Sequence, residues 1–471
     1  MLIKTPLPCV QECVAELHEA LETYQPGAGL SRLQRYWLSC CRMGILVSNA
    51  GCWAQCERAS LGHYSLAALS WMFRQSKRSW ECLLQMRVRV ILGKYGVTQG
   101  SLVIDDADKK RCKVTTRIFK AHQLKDKVSG GYIHGQSIVL LLLVTPRITF
   151  PVGFAFYMPD PVLTSWRQGD QQLKQQGLPP NKRPPQPARN PKYPTKQAIA
   201  LNLLEAFARD HPSLEVTMVL ADALYATPPC MDQASTLFGT HVISEWRHNQ
   251  NVRFRGKRIS IEQYFTQSPG VSHMIKIRGE EAIPVRVNSA RLYVDAHHTK
   301  RFVIALKYEG ESDYRSLVAS DRSGRTVDIV QGYTLRWLVE VFLEDWKSYE
   351  GWGQLTKQPD EEGSSRSLIL SLLLDHCRLC HPYQRARLEH KLPACTVGSL
   401  HARVRVDSLL AFIRDLLLAD NPHEQLNRLT QALEEVFPLA PSKNHRNTRD
   451  LGRLEPTPAL HYRAAVAYAS L

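Results

Sequence analysis

The sequence lacks any long hydrophobic segment. Its longest apolar run, Ile138 to Val144, is far shorter than the roughly 20 apolar residues that a membrane-spanning helix needs. No apolar stretch of the secretory type follows the first methionine, so we expect no membrane partner and a cytoplasmic location. Because that compartment keeps thiols reduced, we expect the 12 cysteines to be free rather than joined in disulfides.

Acidic residues are scarce relative to basic ones. The chain has 44 Asp and Glu against 60 Lys and Arg, which gives a net charge of +16. Such an excess is typical of proteins that cover a polyanion, although ribosomal and other basic proteins share it. The composition therefore predicts a nucleic-acid partner but does not identify a reaction.

One cysteine motif needs its own interpretation. Cys377, Cys380 and His381 form C-x2-C-H, the pattern of covalent c-type haem attachment. Haem attachment requires export, and the sequence has no second C-x2-C to complete a zinc site. The motif continues the apolar segment SLILSLLLDHC, so we interpret it as structural.

The sequence does contain functional side chains at helical spacing. The segment YTLRWLVEVFLEDWK places Tyr333, Arg336, Glu340 and Lys347 on one face of a helix. One carboxylate among groups that bind phosphate suits a metal-assisted enzyme acting on a phosphate backbone, although charged helix faces are more often simply solvated. Glu344 also falls near this face, so the spacing alone leaves two candidate carboxylates.

The pattern Y-x2-R-x3-E-x6-K resembles the signature of DDE transposases of the IS-four insertion-sequence group. The resemblance implies that Glu340, rather than Glu344, is the last member of an Asp-Asp-Glu triad. It also implies that Tyr333, Arg336 and Lys347 contact the DNA backbone near the transposon end. The two aspartates of the triad should lie upstream, each after an apolar strand.

The first candidate segment is SLVIDDAD. Its apolar run from Ser101 to Ile104 predicts a strand that ends on Asp105 and Asp106. Strand alternation sends these two side chains to opposite faces, so we expect only one to point at the site. The resemblance favours Asp106 and leaves Asp105 as the alternative.

The second candidate segment is VTMVLADALYA. A predicted strand from Val216 to Ala221 is followed by Asp222 and then Tyr225. An aspartate in this position more often caps a turn or a helix, but its place in the chain order fits the triad. The resemblance includes a tyrosine shortly after the second aspartate, and the long interval from Asp222 to Glu340 suits the β-rich insertion of this group.

The resemblance implies a chemistry for Asp106, Asp222 and Glu340. Three carboxylates can hold two divalent cations about 4 Å apart for an in-line phosphoryl displacement, with Mg2+ favoured and Mn2+ as an alternative. We therefore expect a DNA transposase that cleaves the ends of its mobile element and joins the 3′-hydroxyl ends to target DNA. Such an enzyme would associate with the nucleoid and act as a dimer on double-stranded DNA, at the terminal inverted repeats and the target. An inactive relative that only binds DNA, or a nuclease of the same fold without strand transfer, are the alternatives.

The predicted fold is α/β. Three strands, a helix and a fourth strand follow one another from Leu102 to Ala221, and the resemblance implies a ribonuclease-H-like catalytic core with a β-rich insertion and flanking helical regions. The predicted boundaries are 1–95 for an N-terminal helical region, 96–237 and 321–365 for the core, 238–320 for the insertion, 366–440 for a C-terminal helical region and 441–471 for a loose basic tail. The resemblance gives the N-terminal region a role in recognising the DNA ends.

Two further segments are candidate DNA contacts. In the insertion, Trp246 is either a stacking platform beside Arg247 or an ordinary packed tryptophan. The segment 178–196, LPPNKRPPQPARNPKYPTK, is rich in proline and basic residues, and we expect it to be extended or disordered and exposed. It is either a basic strap over DNA or a plain spacer.

Overall fold

The structure is a computed structural model that describes residues 5–76, 79–111, 117–126, 130–247, 250–277, 281–320, 324–352 and 358–436. The chain divides into two compact units, Met1–Asp415 and Leu416–Leu471. The predicted basic tail at 441–471 lies outside the described residues. No helix among the described residues is both long enough and apolar enough to cross a membrane.

Helices occupy the N-terminal region, as predicted for residues 1–95. They are α1 (Pro8–Tyr24), α2 (Arg32–Ser48), α3 (Trp53–Ala59), α4 (Leu66–Gln75) and α5 (Trp80–Lys94). Local sequence fixes where several of them begin. Ser31 and Gln34 form a reciprocal capping box at the start of α2, and Ser65 and Ser79 cap α4 and α5.

A mixed sheet follows. Its first part comprises β1 (Gln99–Arg111), β2 (His122–Lys125), β3 (Tyr132–Val144), β4 (Thr149–Tyr157), β5 (Glu215–Ala221) and β6 (His241–Trp246), with α6 (Pro161–Gln175), α7 (Lys196–Asp210) and α8 (Pro228–Phe238) between strands. β3 pairs antiparallel with both β1 and β4, whereas β5 lies parallel to β1 and β6 lies parallel to β5. The resulting order is β4-β3-β1-β5-β6, with β2 also paired to β3, so parallel and antiparallel strands share one sheet.

The predicted insertion extends the same sheet. Its elements are β7 (Asn251–Phe254), β8 (Lys257–Ser260), α9 (Ile261–Thr266), β9 (Val271–Lys276), β10 (Ala282–Val294), β11 (Thr299–Tyr308) and β12 (Arg315–Ala319). β12 pairs antiparallel with β6, which joins these strands to the core strands. β6 itself pairs with β5, so the core sheet runs past the predicted boundary at residue 238.

The rest of the chain is helical. It comprises α10 (Thr326–Tyr333), α11 (Trp337–Ser348), α12 (Asp360–Leu372), α13 (Leu374–Cys380), α14 (Pro382–Glu389), α15 (Val397–Leu417) and α16 (Pro422–Val436). These elements confirm the predicted class, an α/β protein with helices on both sides of a β-rich centre. Whether the predicted domain limits are functional boundaries stays a prediction.

Alternation along β1 gives the sheet two different faces. Val103 and Ala107 belong to an apolar core that includes Val339 and Phe342 of α11. Leu102 and Ile104, whose side chains point to the opposite face, belong to a second core, which includes Ile199 and Leu204 of α7. We call these faces the α11 side and the α7 side of the sheet.

The proline-rich segment 178–196 has little regular structure, but hydrogen bonds fix it to the protein. Arg183 forms a 2.8 Å ion pair with Asp170, and the indole of Trp166 donates to the carbonyl of Pro184. The amide of Asn190 donates to Asp160, which also caps α6. The segment is therefore extended and largely exposed, as predicted, but it is held in place rather than disordered.

Candidate active site

Three carboxylates meet where β5 ends beside β1. Asp105, Asp106 and Asp222 each place an oxygen within 4.8 Å of the others. The register explains this meeting, because Ile104 is the last β1 residue paired with β5, opposite Ala221, and Asp222 follows directly. The predicted order of strand and aspartate thus brings both segments to one point.

Two details of the β1 prediction are wrong. The strand does not end at Asp106 but continues to Arg111, because β3 pairs with it from Ser101 to Arg111. Both aspartates also reach the site, although their residues lie on opposite faces. No part of β5 lies beside them, so both side chains can approach Asp222 across the open edge.

The two aspartates have different partners. Asp106 lies on the α7 side, where its Oδ2 is 2.5 Å from Nζ of Lys196, the first residue of α7. Asp105 lies on the α11 side, where its Oδ2 is 3.7 Å from Nη1 of Arg336. Arg336, a residue of the predicted signature, therefore approaches Asp105, whereas the resemblance favoured Asp106 as the metal ligand.

Backbone contacts hold Asp222 in position. Its Oδ1 accepts a 2.9 Å hydrogen bond from the amide of Leu224, and its carbonyl accepts a 2.5 Å hydrogen bond from Ser244 on β6. An aspartate side chain that accepts a hydrogen bond from the amide two residues ahead forms a local turn of the backbone. The side chain is thereby directed toward Asp105 and Asp106.

The electrostatics of the cluster favour a cation. Burial raises the pKa of Asp105 to about 6, and the nearby charges of Asp222 and Asp106 act in the same direction. Burial also raises the pKa of Asp222, with the charge of Asp106 adding to the effect. Carboxylates crowded in this way are good ligands for a hard divalent cation, so Asp105, Asp106 and Asp222 fit such a metal.

The predicted signature helix has a break in its geometry. α10 ends at Tyr333, a 3-10 turn spans Thr334–Arg336, and α11 begins at Trp337. Arg336 and Glu340 remain neighbours, with Nη2 donating to Oε1 at 2.5 Å. The Tyr333 hydroxyl lies 3.4 Å from the carbonyl of Ala221, which places it beside Asp222.

The Glu340 carboxylate lies outside the cluster of three aspartates. It is not among the three carboxylates whose oxygens cluster within 4.8 Å, and 39% of the Glu340 side chain is exposed. Arg336 lies between Glu340 and Asp105 and approaches both carboxylates. The guanidinium therefore occupies the position through which Glu340 would approach Asp105.

The other predicted DNA contacts differ in exposure. Lys347 and Arg247 are exposed. Trp246 is not, because only 6% of its surface is accessible and its ring packs 4.8 Å from that of His297. An exposed stacking platform at Trp246 is thus wrong for this structure, since the strand alternation of β6 turns the indole into the core.

Two residues of the site had no assigned role in the sequence. Lys196 appeared as the end of the basic loop, and only the fold shows that it binds Asp106. Tyr225 is 1% exposed, and its hydroxyl has no hydrogen-bond partner within the described part of the chain. Burial chiefly raises the pKa of Tyr225, and the charges of the three aspartates raise it further, so the phenol lies near all three.

Comparison with known proteins identifies the family. The model of the DDE superfamily endonuclease family matches residues 35–294, more than half of the chain, and includes all three clustered aspartates. No curated protein matches. A cryo-EM structure of the piggyBac transposase synaptic complex with hairpin DNA shares 11% identity at a TM-score of 0.37, covering 95% of this chain and 88% of that one. On the strength of the family match, the chain belongs to the DDE superfamily endonucleases.

Proposed function

We propose that this protein is a DNA transposase. It would cut the ends of its mobile element by hydrolysis and join the freed 3′-hydroxyl ends to target DNA. The observation that carries the proposal is the meeting of Asp105, Asp106 and Asp222 beside the Arg336–Glu340 pair, in a chain of the DDE endonuclease family. The resemblance to the IS-four group supports strand transfer in addition to cleavage.

The geometry supports a revised assignment of the carboxylates. We assign Asp105, Asp222 and Glu340 as the triad, because Asp105 and Glu340 share the guanidinium of Arg336 on one side of the sheet. Asp106 would be held by Lys196 and would support the site from the α7 side. This choice replaces the sequence-based preference for Asp106.

Divalent cations, with Mg2+ preferred and Mn2+ able to substitute, would supply charge stabilisation to the attacking and leaving oxygens of a phosphoryl displacement. Asp105 and Asp222 would hold them, since burial and the neighbouring carboxylates raise the pKa of both side chains and Asp106 is already paired with Lys196. Two ions per site are part of the proposal. Glu340 would join the ligand set once its ion pair with Arg336 opens.

The basic residues of the same region would bind the DNA backbone. Arg336 could then grip a phosphate with two parallel hydrogen bonds, which a guanidinium does better than an ammonium group. Lys347 and Arg247 are exposed and would act as further phosphate contacts. A dimer on two DNA ends, with the N-terminal helices reading the terminal repeats, completes the proposal.

Cleavage and joining of labelled DNA from the edges of the encoding element would test this function. We expect Mg2+-dependent cleavage and joined products with the wild-type protein, and neither with Glu340→Gln. Glu344→Gln is the matched control, because Glu344 is an exposed carboxylate one turn further along α11. It should retain both activities.

The other outcomes separate the alternatives. Cleavage without joined products would indicate a nuclease of this family that lacks strand transfer. Binding of the ends without any cleavage by the wild-type protein would indicate a DNA-binding relative. Normal cleavage by Glu340→Gln together with loss of cleavage in Glu344→Gln would assign the third carboxylate of the triad to Glu344.

A further inference from the structure

A second cluster of metal-binding side chains lies away from the carboxylates. α1 packs against α13, and this contact brings Cys13 to the C-x2-C pair of Cys377 and Cys380. The Sγ atoms of Cys13 and Cys380 and a ring nitrogen of His376 lie within 4.8 Å of one another. Cys377 adds a fourth group, with its Sγ 3.1 Å from that of Cys13.

All four side chains are enclosed. Cys13, His376 and Cys380 have no accessible surface, and Cys377 retains 2%. The sequence offers no second C-x2-C for a zinc site, but the fold supplies the missing ligand from a helix far away in the chain. The set of three thiols and one imidazole is that of a closed structural zinc site.

A buried arginine indicates that this cluster carries negative charge. Arg42 has no accessible surface, and its Nη1 lies 2.7 Å from Sγ of Cys13 and 3.6 Å from Sγ of Cys377. Its Nε and Nη2 have no hydrogen-bond partner in the described part of the chain. A buried cation needs a counter-charge, and neutral thiols supply none. Three thiolates and one neutral histidine around Zn2+ would carry a net charge of −1 and would balance Arg42.

The histidine also has the environment of a metal ligand. Nε2 of His376 lies 2.6 Å from Oε2 of Glu16, whereas Nδ1 is buried without a partner. Zinc-bound histidines commonly donate their second ring N–H to a carboxylate, which fixes the ring and the tautomer. Glu16 would accept that hydrogen bond, leaving Nδ1 free to bind the metal.

We propose that Cys13, His376, Cys377 and Cys380 bind one structural Zn2+ ion that fastens α1 to α13. Zinc–sulfur bonds of about 2.3 Å place tetrahedral ligands about 3.8 Å apart, which is compatible with the spacing below 4.8 Å among Cys13, His376 and Cys380. Cys377, whose Sγ is 3.1 Å from that of Cys13, would turn to complete the set. Binding displaces three thiol protons to solvent and leaves the metal and sulfur oxidation states unchanged. The site is separate from the carboxylate cluster and does not depend on the function proposed for it.

Metal analysis of the full-length protein tests this proposal. The protein is produced with Zn2+ in the medium, washed with a weak chelator and analysed by mass spectrometry for zinc per chain. We expect one tightly held zinc ion. Replacement by Co2+ should give the visible bands of tetrahedral cobalt together with a thiolate-to-cobalt charge-transfer band, which carboxylate ligands do not produce.

Variants identify the ligands. Cys380→Ser should lower the affinity for Zn2+ by more than about a hundredfold, beyond the 10- to 100-fold cost of losing a residue that only orients a ligand, so the variant should lose its zinc in the chelator wash. Cys230→Ser is the matched control, since Cys230 is a buried cysteine in the other core, and it should keep one zinc ion. Cys380→His supplies an alternative ligand and should retain zinc, which separates loss of a ligand from failure to fold.

Three results would overturn the proposal. The first is wild-type protein that holds no zinc after the wash. The second is a cobalt form without the thiolate band. The third is a titration of the unfolded protein that finds two fewer free thiols than cysteines, which would indicate a Cys13–Cys377 disulfide in place of a metal site.

Discussion

Lys196 and Asp106 form a 2.5 Å ion pair at the edge of the carboxylate cluster. The Lys196 ammonium also lies over the ring of Tyr157, and both partners of the pair are mostly buried. Asp105, the preceding residue of β1, forms no ion pair this close with any described residue and lies 3.7 Å from Arg336. The two adjacent aspartates therefore differ in how readily a metal can use them.

This difference predicts unequal effects of two isosteric substitutions. Asp105→Asn should lower Mg2+-dependent end cleavage at least about a hundredfold, because loss of a proposed metal ligand should exceed the 10- to 100-fold cost of losing a residue that only orients a ligand. Asp106→Asn should have the smaller effect. Single-turnover cleavage measures both, with thermal melting as the control for folding. The reverse ranking would restore Asp106 as the metal ligand.

Arg336 should matter for DNA more than for the fold. Arg336→Gln removes the cation between Glu340 and Asp105, and with it the proposed bidentate phosphate contact. We expect weaker binding of the DNA ends and slower cleavage, with little change in melting temperature. Arg325→Gln is the control, since Arg325 is an exposed arginine of a neighbouring segment that pairs with Asp328. An equal loss of DNA binding and cleavage in both variants would argue for a general effect of positive charge rather than a specific contact at Arg336.

Much of this site could be predicted from sequence because its parts follow local rules. Apolar runs predict β1 and β5, and strand–aspartate order predicts that Asp222 meets the β1 aspartates. The partner of each aspartate could not be predicted in this way. Lys196 reaches Asp106 only because α7 packs on one side of the sheet, and Arg336 reaches Asp105 only because α11 packs on the other.

The same limit applies elsewhere in the chain. Trp246 lies beside basic residues in the sequence, but its direction is set by the pairing of β6 with β5 and β12. The cysteines of α1 and α13 each look incidental in sequence, since neither segment contains a full ligand set. Contacts between distant segments, which periodicity does not encode, bury Trp246 and bring Cys13 to Cys377.

The raised pKa of Asp105 predicts a pH-dependent stability in metal-free protein. Its ordinary value near 3.8 rises to about 6 on folding, so the folded state binds more protons than the unfolded state between these values. Stability from this group is therefore present below about pH 4 and is lost as the pH rises to about 6. The loss amounts to at most about 3 kcal/mol.

Asp105→Asn should remove this dependence. With a chelator present, the melting temperature of the variant should exceed that of the wild type by more at pH 7 than at pH 4.5. Added Mg2+ should stabilise the wild type at pH 7 and narrow that gap, because the metal favours the ionised carboxylate. An unchanged gap across this pH range would mean that Asp105 titrates near its ordinary pKa.

Tyr225 predicts a substitution that stabilises the metal-free protein. Its buried hydroxyl has no partner among the described residues, and an unpaired buried hydroxyl costs about 1–3 kcal/mol. Tyr225→Phe should therefore raise the free energy of unfolding, as measured by urea denaturation. Tyr95→Phe is the comparison, since its hydroxyl donates a 2.8 Å hydrogen bond to Leu379 and its loss should destabilise. Destabilisation by Tyr225→Phe would instead indicate that the phenol donates to one of the aspartates in solution.

Trp246 and Arg247 are adjacent, yet they should respond to substitution in opposite ways. Trp246→Phe shrinks a side chain that packs in the core against His297, so it should lower the free energy of unfolding by about 1–2 kcal/mol and leave the salt dependence of DNA binding unchanged. Arg247→Ala removes an exposed cation, so stability should hold while the slope of log affinity against log salt falls by about one. Binding of the DNA ends over a series of salt concentrations, paired with thermal melting, measures both effects. If Trp246→Phe weakened binding at every salt concentration without lowering stability, the indole would have to leave the core and stack on DNA, and its assignment as a packed residue would fail.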